Sequence, residues 1–172
     1  MTVFAALSIL DPAKGIGSPT EPDHQIDRLE GKEAVVKDRV RIAQYFKVQV
    51  PNRPGVGARM LGALQKGKVN LLAFSGFPRK GRAQLDFVPA KVSAFLAVAK
   101  RGKWRIQGPK TCFLVEGSDR VGAVAALMVK LAKAKLNVTA IDAVCSGKGR
   151  YGALLWVKPH ELKKASKLLR GR

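Results

Sequence analysis

The feature that most limits how this chain can fold is an internal repeat. The stretch FKVQVPNRPGVGARMLGALQKGKVNLLA, which begins at residue 46, aligns without a gap with FLVEGSDRVGAVAALMVKLAKAKLNVTA, which begins at residue 113. Identical residues stand at Phe46/Phe113, Val48/Val115, Arg53/Arg120, Gly55/Gly122, Ala58/Ala125, Leu64/Leu131, Lys66/Lys133, Lys68/Lys135, Asn70/Asn137 and Ala73/Ala140. Because the apolar pattern and a glycine stay in register, the chain is predicted to contain two copies of one supersecondary unit.

Each copy begins as a strand followed by a helix. Phe46 and Val48 alternate with polar residues, and this period of two predicts a half-buried strand. Further on, Met60 and Leu64 fall on one face of a helix whose other face is polar. Later apolar runs, separated by the turn sequences RKGR and GKGR, predict a hairpin and then a second helix.

The predicted order of strand, helix, strand, strand, helix and strand is that of a ferredoxin-like unit. We therefore expect an α+β fold of two ferredoxin-like βαββαβ units in tandem, with the helices on one face of antiparallel sheets. The second unit lacks its own final strand, so either its sheet has three strands or TVFAALSIL, at residues 2–10, supplies the fourth. The predicted divisions are a flexible acidic, Pro- and Gly-rich leader over 1–40, a first unit over 41–109 and a second over 110–172.

The charge of the chain is unevenly distributed and favours an anionic partner. The net charge is +20, and seven of the twelve acidic residues fall in residues 1–40. Residues 41–172 therefore hold 27 basic and 5 acidic residues, which makes nucleic acid a possible partner class. No apolar run reaches the length of a membrane span and no secretory signal is recognisable, so no membrane association and a cytoplasmic location are predicted.

The residues that usually carry catalysis or bind metals are scarce. Two cysteines and two histidines are far apart in the sequence, and no nucleophile elbow, Ser-His-Asp set or metal-ligand spacing is present. The three aspartates of the repeat region, Asp86, Asp119 and Asp142, are not spaced as an acid/base pair. We therefore predict neither an enzyme nor a cofactor or metal site.

The loop between the first strand and the first helix is the candidate binding site of each copy. It reads PNRPGVG in the first copy and GSDRVGA in the second. Asn52 and Asp119 are predicted to cap the helix, and Gly55 and Gly122 mark the helix start. A turn and a cap alone would explain these residues. Alternatively, exposed N–H groups at a helix N-terminus can receive a carboxylate or another anion.

The stretches NRPGVGARMLGALQKGKVNLLAF and SDRVGAVAALMVKLAKAKLNVTAI resemble the start of an ACT domain. The resemblance covers about residues 43–170 and implies a tandem regulatory module that binds a small ligand, most often an amino acid, at an interface between paired ACT units. Such a module would pass its signal by association, most simply through a homo-oligomer, which we expect to be a dimer, or through a partner protein. The resemblance also implies a ligand contact at each matching position: Asn52, Arg53, Pro54, Gly55, Val56, Gly57, Asn70, Leu71, Asp119, Arg120, Val121, Gly122, Asn137 and Val138. Asn52 stands where the family usually has an acid, and Val121 replaces the usual proline.

The same topology and the basic charge also allow an RNA-binding alternative. The segment GRYGALLWV partly matches the third-strand motif of RNA-recognition modules, which would use Tyr151, and Phe113 on a neighbouring strand, to stack bases. The basic stretches at 79–82 and 100–105 would contact phosphates. Core packing of Tyr151 and Trp156 is the simpler interpretation.

Overall fold

The structure is a computed structural model that describes residues 38–170. Its described residues form two compact units, unit 1 with residues 43–112 and unit 2 with residues 38–42 and 113–170. The strands are β1 (Arg39–Pro51), β2 (Leu71–Arg79), β3 (Arg82–Pro89), β4 (Ile106–Ser118), β5 (Val138–Gly147) and β6 (Arg150–Val157). The helices are α1 (Val56–Lys66), α2 (Val92–Arg101), α3 (Ala123–Lys133) and α4 (Leu162–Arg170), with a 3-10 turn over Pro159–Glu161 before α4.

In unit 1 the strands lie in the order β2-β3-β1-β4, where β4 contributes its residues up to Cys112. The paired strands β1 and β3, and β2 and β3, are antiparallel. Phe46 is opposite Phe87 and Val48 is opposite Leu85, so alternate residues of both strands lie on the same face. The predicted α+β class and the ferredoxin-like order of elements are confirmed.

The core of unit 1 lies between that sheet face and its two helices. Phe46, Phe87 and Phe95 are fully buried, and the ring centroids of Phe46 and Phe95 are 4.9 Å apart. Met60 and Leu64 of α1 are buried in the same cluster. Both helices therefore cover one face of the sheet, as the spacing of their apolar residues predicts.

Unit 2 repeats this arrangement and obtains its fourth strand from residues before unit 1. Its strands lie in the order β1-β4-β6-β5, in which β1 contributes only residues 39–42. The side chain of Arg41 donates a hydrogen bond to Glu116 on β4, and Val40 packs against the core around Phe113 and Leu155. The position of the missing final strand is thus filled by the start of β1, whereas the segment TVFAALSIL lies outside the described residues.

Candidate functional site

The two strand-to-helix loops have the same backbone geometry. Gly55 precedes α1 with φ 81° and ψ −11°, and Gly122 precedes α3 with φ 80° and ψ 4°. These angles match the third position of a type II turn, and the N–H of Val56 accordingly donates to the carbonyl of Arg53 at 3.4 Å. Glycine adopts this left-handed conformation without the steric penalty of other residues, which explains why it recurs in both copies.

The prediction that Asn52 and Asp119 cap the helices was wrong. The N-cap residues are Gly55 and Gly122, three positions later, and neither helix start has a side-chain capping hydrogen bond. The turn that begins at Arg53 places the first helical residue beyond the reach of Asn52. The capping that sequence spacing suggested is replaced by a backbone turn.

The loop of unit 1 is open to solvent. Its residues from Asn52 to Gly55 are exposed, and Val56 and Gly57 are half-buried. A Cβ atom placed on Gly57 would meet no neighbour within 4 Å, and one on Gly55 would meet only the Arg59 guanidinium at 3.8 Å. The first turn of α1 carries no acidic residue. The positive end of the helix dipole and the two arginines, Arg53 and Arg59, therefore favour an anion at this loop.

The equivalent loop of unit 2 is occupied by an acidic residue of the chain itself. The Tyr151 hydroxyl donates to Asp38 Oδ2 at 2.8 Å, and Arg120 Nη1 lies 3.6 Å from Asp38 Oδ1. Arg120 Nη1 also donates to the carbonyl of Ser118 at 3.2 Å. Burial, followed by the hydrogen bond to Asp38, raises the pKa of Tyr151 above its ordinary value. The Asp38 carboxylate thus already neutralises the arginine of this loop.

Sequence reasoning missed Asp38 because it lies in the segment interpreted as a leader. Asp38 and Tyr151 are 113 positions apart, so no local pattern links them. Gly117 is the one sequence signal at this place, since a Cβ there would clash with Asp38 and with the Tyr151 ring. In unit 1 the equivalent register pairs Val50 with Ala83, which has no hydroxyl, whereas unit 2 pairs Gly117 with Tyr151.

Other candidate residues of the loops are exposed or have neighbours of their own. Val121 is fully exposed, and Asp119 is exposed. The Cys145 thiol donates a hydrogen bond to Asp119, and this bond raises the pKa of Cys145. Asp119 therefore interacts with a residue of β5 and makes no capping hydrogen bond to α3.

The asparagines of the repeat lie at the other end of the helix from the glycine loops. Gly55 precedes the first residue of α1, whereas Asn70 and Leu71 follow its last residue, and an eleven-residue helix is about 16 Å long. Asn137 and Val138 stand in the same relation to α3. Within one unit, the structure therefore does not bring the glycine loop and the asparagine together.

The aromatic residues of the RNA-binding alternative are not available for stacking. Phe113 is fully buried, Tyr151 is 4% exposed and Trp156 is 7% exposed. Phe113 and Tyr151 belong to the core of unit 2 because the strand register turns them toward its helices. The prediction of a base-stacking platform on β6 is wrong for these residues, and their interpretation as packed side chains is correct.

Residues 38–170 contain neither a metal-binding cluster nor a membrane-spanning helix. No group of three or more His, Cys, Asp or Glu side chains in this part of the chain is arranged to hold a metal ion. No helix within the same residues is long and apolar enough to cross a bilayer.

Comparisons with known proteins give structural but no sequence relatives. No family model matches the sequence, and no curated protein does. Protein BT0572 from Bacteroides thetaiotaomicron matches with a TM-score of 0.67 at 13% identity, over 76% of this chain and 88% of that one. The aspartokinase alpha and beta subunits match with a TM-score of 0.57 at 20% identity, over 79% and 96% of the two chains.

The ligand-free regulatory subunit of aspartate kinase from Thermus thermophilus matches over 80% of this chain and 97% of that one, with a TM-score of 0.57 at 16% identity. These likenesses extend over both units, because each match covers more than three quarters of the chain. Together with the repeated strand, glycine loop and helix, they show that the chain has the tandem α+β fold of these proteins, among them the aspartate kinase regulatory subunit.

Proposed function

We propose that this protein is a non-catalytic regulatory module that binds a small metabolite, an amino acid, through the glycine loop of unit 1. The carboxylate of the ligand lies against the N-terminus of α1, near Arg53 and Gly55. The protein works in the cytoplasm as a homodimer in which ligands occupy the interfaces between paired ACT units.

The observation that carries the proposal is the combination of exposure and charge at the unit 1 loop. The turn is exposed, the first turn of α1 has no acidic residue, and Arg53 and Arg59 add positive charge. A carboxylate is stabilised near a helix N-terminus by roughly 0.3–1 kcal/mol even at an exposed surface. Neighbouring arginines add charge-assisted hydrogen bonds to this attraction.

Unit 2 is a weaker candidate for the same ligand. A free carboxylate that approached Arg120 would compete with Asp38, which is part of the chain and needs no binding from solution. The proposed primary contacts are therefore Asn52, Arg53, Pro54, Gly55, Val56 and Gly57, and the corresponding residues of unit 2 are secondary.

The length of α1 separates the two kinds of candidate contact within one unit. Gly55 and Asn70 lie at opposite ends of the same helix, so a small ligand cannot touch both within one unit. A ligand that uses both kinds of contact takes them from two paired units. Ligand binding then favours the assembled form, because only the assembly contains the complete site.

A thermal-shift screen against the proteinogenic amino acids, followed by size measurement with and without any hit, tests the proposal. We expect one or a few amino acids to raise the melting temperature and to increase the dimer fraction. Gly55→Val should abolish the shift, whereas the control Gly62→Ala, in open space on the same helix, should retain it. Failure of every amino acid to stabilise the protein, or an unchanged response in Gly55→Val, contradicts the proposal.

Asn52 offers a test of the ligand's ammonium group. The family usually has an acid at this position, and a carboxylate attracts an ammonium more strongly than an amide does. We expect Asn52→Asp to strengthen binding of the hit amino acid relative to its deaminated analogue in calorimetric titrations. Equal changes for both ligands would place the ammonium elsewhere.

A further inference from the structure

Unit 1 contains an open basin that is separate from its glycine loop. The basin has a volume of about 400 Å³ and is lined by residues of β1, β3, the β2–β3 turn and β4. Four of its side chains are cationic, and three carry amides. They are Lys47, Lys80, Arg82, Lys110, Gln49, Gln84 and Gln107. Among the described residues that line the basin, none is acidic.

The strand register explains why these residues gather there. Lys47 and Gln49 alternate along β1 with Phe46 and Val48, which belong to the core beneath the helices. Gln49 is directly opposite Gln84 of β3. Side chains of alternating residues point to opposite faces of a sheet, so the basin lies on the face of unit 1 that its helices do not cover.

Two of the basin's side chains are held in place by the fold. Arg82 Nη2 donates to the carbonyl of Gln49 at 3.2 Å. Gln84 is only 2% exposed, and its Nε2 donates to both carboxylate oxygens of Asp86, at 3.0 and 3.2 Å. The Gln84 amide is therefore already engaged by Asp86, whereas the exposed Arg82 guanidinium is oriented by its backbone contact and has further N–H donors for a ligand.

The chemistry of the lining matches clustered phosphates. The buried Asp86 carboxylate is opposite Lys47 on this face, so the lining has four cations beside one neighbouring carboxylate and is positive in balance. Guanidinium and ammonium groups both bind phosphate oxygens well. The volume falls within the range of small-molecule sites. None of the described lining residues is aromatic, so the basin offers no surface on which the bases of a nucleic-acid strand would stack.

We propose that this basin binds a small ligand that carries two or more phosphate groups. The site is distinct from the proposed amino-acid site, because it shares no residue with the glycine loop of unit 1. The protein would then respond to two classes of metabolite.

Calorimetric titration with pyrophosphate and with tripolyphosphate tests the proposal on the full chain. We expect both to bind, and the double variant Arg82→Gln with Lys110→Gln to weaken binding by about tenfold or more. The matched control, Lys66→Gln with Arg101→Gln, removes the same charge from exposed positions on α1 and α2 and should change affinity less than about threefold. Equal losses in the two double variants would reduce the effect to general charge and overturn the proposal.

A second variant controls for loss of binding through misfolding of the sheet, and a competition experiment tests whether the basin binds nucleic acid instead. Lys80 lies in the exposed hairpin turn with φ 46°, a conformation that asparagine tolerates, so Lys80→Asn removes a charge without straining the turn. It should weaken tripolyphosphate binding and leave the melting temperature of the free protein unchanged. If short single-stranded RNA binds more tightly than tripolyphosphate and is not displaced by it, the ligand class is wrong. Loss of amino-acid binding with retained phosphate binding would affect only the function proposed above.

Discussion

Replacing Asp38 tests whether this residue, which directly precedes β1, holds the glycine loop of unit 2 in place. Asp38 accepts a hydrogen bond from the Tyr151 hydroxyl and lies beside Arg120, and its side chain is 17% exposed. Asp38→Ala removes both interactions and leaves the hydroxyl of the buried Tyr151 without its acceptor. Tyr151→Phe removes the hydroxyl but leaves Asp38 next to Arg120.

The two variants should differ in cost. A hydrogen bond to a charged group contributes roughly 1.5–3 kcal/mol, and a partly exposed ion pair contributes less than about 1 kcal/mol. We therefore expect Asp38→Ala to lower the free energy of unfolding by about 2–3 kcal/mol and Tyr151→Phe by about 1–2 kcal/mol. In a chain of this length, 2 kcal/mol corresponds to a fall in melting temperature of about 4–8 °C.

Urea denaturation of the two single variants and the double variant completes the measurement. Both single variants remove the same hydrogen bond, so the double variant should be more stable than the sum of the single losses predicts. The coupling free energy should exceed about 1 kcal/mol. Arg41→Gln provides a control, since its ion pair with Glu116 is about 40% exposed and should change stability little. Strict additivity of Asp38→Ala and Tyr151→Phe would refute the assigned contact.

Three further outcomes test other parts of the structure. Gly55→Val should lower the free energy of unfolding by about 1–2 kcal/mol, because Gly55 has φ 81° and a β-branched residue is strained there. Gly62→Ala should raise the free energy of unfolding by up to about 1 kcal/mol, because alanine favours a helix interior more than glycine does. Equal effects of the two variants in chemical denaturation would contradict the turn geometry. Burial, with the charge of Asp86, raises the pKa of Cys112 from 9.0 to about 12. The contribution of this thiol to the free energy of unfolding is therefore complete below pH 9 and is lost as the pH rises toward 12, because only the unfolded chain ionises in that range. The loss is at most about 1.4 kcal/mol per pH unit. Cys112→Ala should reduce the fall in denaturation midpoint between pH 9 and 10, and an unchanged fall would exclude this thiol as a cause. A maleimide reagent should modify the exposed Cys145 in the native protein and Cys112 only after unfolding, as mass spectrometry can establish.

The order of secondary structure was predictable because each copy carries its own periodic pattern. Phe46 and Val48 predict the strand, Met60 and Leu64 predict the helix, and both assignments agree with the observed core. The repeat strengthens each assignment, since Phe113 and Leu131 occupy the same roles in unit 2. Such patterns predict secondary structure because burial of one face of a strand or helix fixes the spacing of its apolar residues.

The fourth strand of unit 2 was not predictable from the same patterns. Residues 39–42 form part of the thirteen-residue strand β1, whose remaining residues belong to unit 1. Periodicity identifies a strand but not the unit to which each part belongs. The role of Asp38 was hidden for the same reason, because its partners, Arg120 and Tyr151, are far away in the sequence.

The basin and the helix caps show two further limits of sequence reasoning. The basin's residues range from Lys47 to Lys110 and become neighbours only through strand pairing. The prediction of the helix caps was wrong although it concerned neighbouring residues. Asn52 has the right residue type, but it stands three positions before the observed N-cap. Residue preference alone cannot distinguish a capping residue from one that precedes a turn.

The two glycine loops have the same backbone geometry but differ in the charges around their arginines. Gly55 and Gly122 have nearly identical backbone angles, and each loop retains an arginine, Arg53 or Arg120. In unit 2 that arginine lies beside a carboxylate of the same chain, which a free ligand would have to displace together with its bond from Tyr151. Displacement costs roughly the energy of a charge-assisted hydrogen bond, whereas the exposed loop of unit 1 imposes no such cost. The loop of unit 1 is therefore open to solvent, whereas the loop of unit 2 holds a carboxylate of its own chain, and the difference depends on Asp38.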